Sequence, residues 1–158
     1  MLVKSQKLGE LDVSEDKLII MERPILGFEN LREFCLIEID EIMPFLWFQS
    51  VQEPSISFLV VNPIVFFPGY RIEINPKEIA ELEVARVDAV ETYVIVTLNK
   101  NPELITANLQ GPILINTENN LAKQLILVNS DYKVRHSLSK AMEEVPEKII
   151  RNKEFIPV

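Results

Sequence analysis

The sequence predicts a mostly β protein, a small single-domain antiparallel β-barrel-like fold with one or two short helices, and three observations carry that expectation. From Ile105 to Asn116 apolar residues fall on the odd positions, Ile105, Ala107, Leu109, Ile113 and Ile115, as in a half-buried strand pair. Val94, Ile95 and Val96 are β-branched throughout and suit a strand buried on both faces. Prolines 44, 54, 63 and 68 punctuate the chain at spacings suited to short strands.

In chain order, Leu2 to Gln6 and Leu8 to Val13 read as a first hairpin, and Lys17 to Met21 as a short strand broken by Glu22, Arg23 and Pro24. Phe28, Leu31 and Phe34 share one side of one or two expected helical turns, after which Phe34 to Ile39 is a strand closed by Asp40 and Glu41. Phe45 to Val51 and Ser55 to Val61 are two further strands, separated by the turn signal at Glu53 and Pro54. Tyr70 to Ile74 alternates inward and outward.

The clearest helix start follows. Asn75 caps, Pro76 suits the first helical position, and Glu78 stands at the reciprocal-capping spacing, giving a helix to about Val84. Ile79 and Leu82 would face the body while Lys77, Glu78, Glu81 and Glu83 face water. Ala85 to Val90 and Glu91 to Leu98 are expected next as extended segments. Gly111 and Pro112 then kink the central strand pair, because proline cannot donate to a ladder and glycine tolerates strained backbone. Asn119 and Asn120 supply a turn, and Leu121 to Val128 returns. A turn at Asn129 to Asp131 leads to a last strand, Tyr132 to Leu138. The domain is thus expected over residues 1–138. Residues 139–158 are an appendage, partly helical from Ser139 or irregular, and carry Met142, Ile149, Ile150 and Phe155.

Composition narrows the function classes. The chain has 158 residues, 47% of them hydrophobic, enough for one domain with a real core. Four glycines and no Gly-x-Gly-x-x-Gly or Walker pattern argue against phosphate cradling. No apolar run approaches the roughly 20 residues of a membrane helix, and no secretory signal is readable at the N-terminus. A single cysteine, Cys35, fits a reducing cytoplasm. With 24 acidic and 16 basic side chains the formal net charge is -8, which disfavours direct nucleic-acid binding and allows a basic protein partner.

Candidates for chemistry are few. His136 is the only histidine, so a His-rich zinc site is excluded, and Cys35 between Phe34 and Leu36 reads as a small buried hydrophobe. Neither an enzyme nor a cofactor or metal site is supported. Glu73, Glu78, Glu81, Glu83, Asp88 and Glu91 stand against Lys77 and Arg86, a segment of net charge -4 that is either a steering surface or a solvated face.

Several stretches together resemble one family. They are Pro24 to Phe28 followed by Phe34, Pro44 to Ser50, Phe58 to Pro63, Pro68 to Tyr70, Thr106 to Asn116, Gln124, and Tyr132 to His136. In this order the chain resembles the flagellar assembly factor FliW family over roughly residues 2–138. Gly69 departs from the pattern, which more often has an acidic residue before the tyrosine. The resemblance implies a small β-barrel-like fold and a cytoplasmic regulator. Such a regulator binds the RNA-binding translational repressor CsrA and, in competition, flagellin, relieving repression of flagellin synthesis. It also marks Asn108, Gln110, Asn116 and Gln124 as family-pattern polar positions. Asn108, Gln110 and Asn116, with Glu78, Glu81 and Glu83, are the expected partner-binding residues. For the amides, hydrogen bonding of bends within the central hairpin is the competing role. A flagellin-binding chaperone-like protein without CsrA regulation, or a small-ligand β-barrel, are the alternatives.

Overall fold

The computed structural model describes residues 1–128 and 130–138. Strand periodicity in the sequence becomes a closed barrel. Strands β1 (Leu2–Ser5) and β2 (Gly9–Asp12) form a separate antiparallel hairpin. The larger sheet contains β3 (Ile19–Arg23), β4 (Glu33–Glu38), β5 (Leu46–Ser50), β6 (Ser57–Val61) and β7 (Val90–Thr97). It continues with β8 (Thr106–Ala107), β9 (Ile113–Asn116), β10 (Leu121–Gln124) and β11 (His136–Ser137). The pairing runs β7-β6-β5-β4-β3-β10-β9 and returns to β7, so these strands close on themselves and leave no edge within the ring. All neighbours in the ring are antiparallel except β10 and β3, which are parallel with a register shift at Ala122 and Lys123.

Closure depends on β7. One of its edges pairs with β6, while the other is divided: Val90 to Tyr93 pair with β9, and Val96 and Thr97 pair with β8. The expected central strand pair is therefore one strand interrupted by the excursion 108–112, at the place where Gly111 and Pro112 predict a kink.

Side-chain alternation sorts the core into three clusters. Ile19, Met21, Phe34, Phe48, Val60, Ile113, Ile115 and Ala122 fill the barrel interior, with Tyr93 and Ile95 of β7 packed against them. Phe34 stacks on Phe48 with centroids 4.5 Å apart, and Phe28 meets Phe58 edge-on at 5.0 Å. The other faces of β5, β6, β7 and β8 form a second cluster with Phe45, Trp47, Leu59, Val94 and Val96, joined by Tyr70 and Leu138. A third cluster, Leu82, Leu114 and Leu125, lies on the outside of β9 and β10. Val94, Ile95 and Val96 thus pack alternately into two clusters, as β-branching throughout implies.

The structure corrects several expected elements. Residues 28–32 form turns, Phe28 N–H to the Ile25 carbonyl and Leu31 N–H to that of Phe28, and residues 33 and 34 already belong to β4, so no helix forms. The apolar triplet still reaches the interior, because Gly27 at φ 92° turns the chain and Phe34 must extend to pair. Tyr70 to Ile74 alternates in burial without pairing with a strand. Helix α1 (Pro76–Ala80) is shorter than expected, since Leu82 turns inward and Glu83 takes a left-handed φ of 52°. Of the segment from Ala85 to Val90 only Val90 is in a strand, as the first residue of β7; Val87 to Ala89 is a 3-10 turn feeding it. The return strand ends at Gln124, and the last strand contracts to His136 and Ser137. The expected turn residue Asn129 and the appendage 139–158 lie outside the described residues.

Ile113 and Ile115 are 1% and 3% exposed, inside the barrel. Each change to alanine should cost about 2 to 5 kcal/mol by transfer plus cavity terms, read as a shifted denaturation midpoint. Unaltered midpoints in both variants would contradict the placement of these faces.

Candidate partner-binding surface

The family-pattern amides sit at the excursion and at the end of β9. Asn108 Oδ1 accepts from the backbone N–H of Gln110 at 3.1 Å and of Gly111 at 2.9 Å, which curls the chain away from β7. Gln124, across the ladder on β10, donates Nε2 to the Gly111 carbonyl at 3.0 Å and accepts from Leu26 N–H at 2.8 Å. One side chain therefore ties the excursion to the loop after β3. Gly111 leaves no room beside them: a Cβ there would lie 2.9 Å from Gln124 Nε2 and 3.0 Å from Asn108 Nδ2. Gln110 Nε2 donates to the Leu127 carbonyl at 3.4 Å.

Asn116 is 1% exposed, so no amide is presented to solvent there. Its Nδ2 donates to the Leu82 carbonyl at 3.0 Å and its Oδ1 accepts from Glu118 N–H at 3.1 Å. A half-buried strand pair leaves its even face to solvent, but the segment around Leu82 covers β9 and buries both Leu114 and Asn116. Asn108 and Gln110 remain half-buried beside the excursion they brace.

The acidic segment divides into bound and free carboxylates. Asn75 Oδ1 accepts from Lys77 N–H at 3.0 Å, so the cap closes on Lys77 instead of the position of Glu78. Glu81 is the centre of an ion-pair network. Arg23 of β3 holds both its oxygens, at 3.0 and 2.9 Å, and Lys123 Nζ of β10 lies 3.1 Å from Oε2. Lys123 is buried and also donates to the Glu78 carbonyl at 3.3 Å. Hydrogen bonds from Arg23 and then Lys123 hold the Glu81 carboxyl down at about 2. Glu81 thus fastens the end of α1 over the parallel seam between β3 and β10. Sequence reading missed this network, although Lys123 stands two residues from both Leu121 and Leu125 and so shares their covered face.

Glu83 projects into solvent and Glu78 is half-buried. Glu91 accepts from Tyr93 Oη at 2.6 Å, while Arg86 lies 3.6 Å from both Asp88 and Glu118. Beside this rim an apolar cleft of about 380 Å³ is lined by Tyr70, Ile72, Ile74, Leu82, Val87 and Leu114 among others. Tyr70 is locked there, its hydroxyl donating to the Leu109 carbonyl at 2.7 Å. Desolvation, with Tyr132 beside it, raises its phenol well above the ordinary value. The surface combines an apolar floor with a margin in which carboxylates outnumber the cations Lys77 and Arg86.

The two candidates for chemistry have structural surroundings. Cys35 is fully buried and desolvation pushes its thiol up to about 11, away from the reactive thiolate. His136 Nε2 accepts from Lys133 N–H at 2.8 Å, and burial followed by the Lys133 charge lowers its basicity. Among the described residues no group of three His, Cys, Asp or Glu is placed to hold a metal, and no helix is long and apolar enough to cross a membrane.

Known proteins resemble this chain along nearly its whole length. The sequence profile of the family described as FliW protein matches residues 2–138. The flagellar assembly factor FliW of Syntrophus aciditrophicus (strain SB) is 36% identical over 143 residues, spanning 90% of this chain and 90% of that protein. That of Clostridium botulinum (strain Alaska E43 / Type E3) is 38% identical over 138 residues, 87% of this chain and 98% of its own. A crystal structure of the flagellar assembly factor FliW superposes with a TM-score of 0.82 at 33% identity, covering 87% of this chain and 96% of that one.

Because its folded value lies near 2 against an ordinary 4.5, Glu81 adds stability fully above pH 4.5 and loses it as pH falls through 2. Glu81→Gln should therefore melt below the wild type at neutral pH, with the gap closing between pH 4.5 and 2. Melting temperatures measured across that range check it; a gap independent of pH would assign the loss to packing instead of charge.

Proposed function

The chain belongs to the FliW family of flagellar assembly factors, and we propose that it serves flagellar assembly by partner exchange between CsrA and flagellin. In this reading it is a cytoplasmic binding protein, not a catalyst. Free flagellin occupies it and leaves CsrA to repress flagellin synthesis; exported flagellin frees it to capture CsrA. The observation that carries the reading is the surplus of carboxylates between Glu73 and Glu91, with Glu78 and Glu83 outside any ion pair among the described residues, set beside an apolar cleft. A basic RNA-binding repressor meets complementary charge there without the protein competing for RNA by mimicking a basic surface.

Within that margin the carboxylates have separate tasks. Glu78 and Glu83 steer association, since neither side chain is engaged in an ion pair among the described residues. Glu81 is committed to Arg23 and Lys123, so it supports the surface by position instead of contributing a free charge. Asn108 and Gln110 shape the excursion next to the Leu127 backbone and contribute to binding through that shape. The excess charge acts over about 8 Å at physiological salt, so it speeds encounter more than it deepens affinity.

Capture of purified CsrA and of flagellin, each followed by competition with the other, should show mutual displacement. Glu78→Gln combined with Glu83→Gln should lower the CsrA association rate several-fold and flatten its salt dependence, with melting unchanged. Flagellin capture without any CsrA capture would support a chaperone-like role instead, and an unchanged rate and salt slope would move the CsrA surface elsewhere.

A further inference from the structure

β10 has neighbours on both edges only while it runs beside β3. Leu121 and Ala122 face Ile20 and Met21, Lys123 faces Arg23, and there β3 ends. The chain nevertheless keeps the spacing of a ladder: Leu125 N–H donates to the Pro112 carbonyl at 2.8 Å and Leu127 N–H to that of Gln110 at 2.9 Å. Alternate residues of such a segment turn their backbone groups to opposite edges, so Ile126 offers its N–H and C=O to the side β3 has vacated. Among the described residues no hydrogen bond reaches the Ile126 backbone.

Ile126, Leu127 and Val128 line a groove. The groove has a volume of about 570 Å³, and its opposite wall is the segment from Arg71 to Asn75. This wall also has strand-like alternation, and the backbone of Ile72, Glu73 and Ile74 has no hydrogen bond among the described residues. Ile126 and Val128 are 48% and 76% exposed along the floor, and the charged lining is Glu73, Glu78 and Asp131 against Arg71 alone. An open backbone edge, exposed aliphatic side chains and an acidic margin coincide here.

We propose that this groove takes an extended, basic segment of a partner protein as an added strand. Its backbone pairs with Ile126, its aliphatic side chains cover Ile126 and Val128, and its Lys or Arg residues meet Glu73, Glu78 and Asp131. Strand addition draws affinity from main-chain hydrogen bonds and specificity from alternate side chains, and the lining selects positive charge. This groove lies across Ile72 and Ile74 from the apolar cleft and shares Glu73 and Glu78 with the acidic margin, and the proposal does not depend on which protein supplies the strand.

The test is amide hydrogen exchange at Ile126 in the full chain with a synthetic peptide of about seven residues alternating lysine and valine, and with its glutamate counterpart. The lysine peptide should slow Ile126 exchange about tenfold or more at saturation, and the glutamate peptide should not. Glu73→Lys combined with Asp131→Lys should weaken the lysine peptide about tenfold with the melting temperature kept. Unchanged Ile126 exchange at saturation, or equal slowing at the β11 edge, would overturn the proposal. So would an Ile126 amide already protected before peptide is added, which would mean that the chain's own residues cover the edge.

Discussion

Everything in this molecule depends on one strand edge doing two jobs. β7 must pair with β9 to close the barrel and with β8 to cover the second core cluster, and eight residues of strand supply both. The chain between β8 and β9 therefore leaves the sheet and returns at the same edge, which requires a tight excursion with its own hydrogen bonds. Asn108 turns it, Gly111 admits it at close quarters, and Gln124 ties it to the loop after β3. Without the excursion, β9 would have to follow β8 along β7 in continuous register, and the odd positions, which face the second cluster at Ala107 and Leu109, could not turn into the barrel at Ile113 and Ile115.

The same constraint organises the binding surface. β9 carries Leu114 and Asn116 outward, and both need cover, which the segment around α1 and Leu82 provides. Glu81 fixes that cover across the seam through Arg23 and Lys123. The acidic margin is thus held in place by one of its own carboxylates, while Glu78 and Glu83 stand outside any ion pair among the described residues. Breaking a buried pair from one side leaves an unpaired charge, so Lys123 makes the position of Glu81 obligatory.

Much of this was legible in the chain and some was not, for physical reasons. The odd positions are buried as period-two alternation implies, but Ile105, Ala107 and Leu109 join the second cluster and Ile113 and Ile115 the barrel interior, while Val94 to Val96 correctly implied cover on both faces. Gly111 and Pro112 marked the interruption, but local pattern could not show that both halves pair with the same edge of β7. Asn116 was misread as exposed because an outward side chain in a strand is wet only if nothing packs over it, and Leu82 comes from 34 residues away. Phe28, Leu31 and Phe34 satisfied a helical spacing and a turn equally well, and pairing at Phe34 decided the outcome. The family resemblance marked Asn108, Gln110 and Gln124 as pattern positions without saying that their amides brace the excursion.

The most direct measurement is native-state hydrogen exchange of β9 and β10 in the wild type and in Gln124→Ala. If the excursion holds the barrel closed, amides of Ile113 to Asn116 and Leu121 to Lys123 should lose protection together in the variant, while β4 and β5 keep theirs. Unchanged protection across β9 and β10, with exchange altered only at Leu26 and Gly111, would mean that closure is held by the strands themselves and that Gln124 only trims a loop.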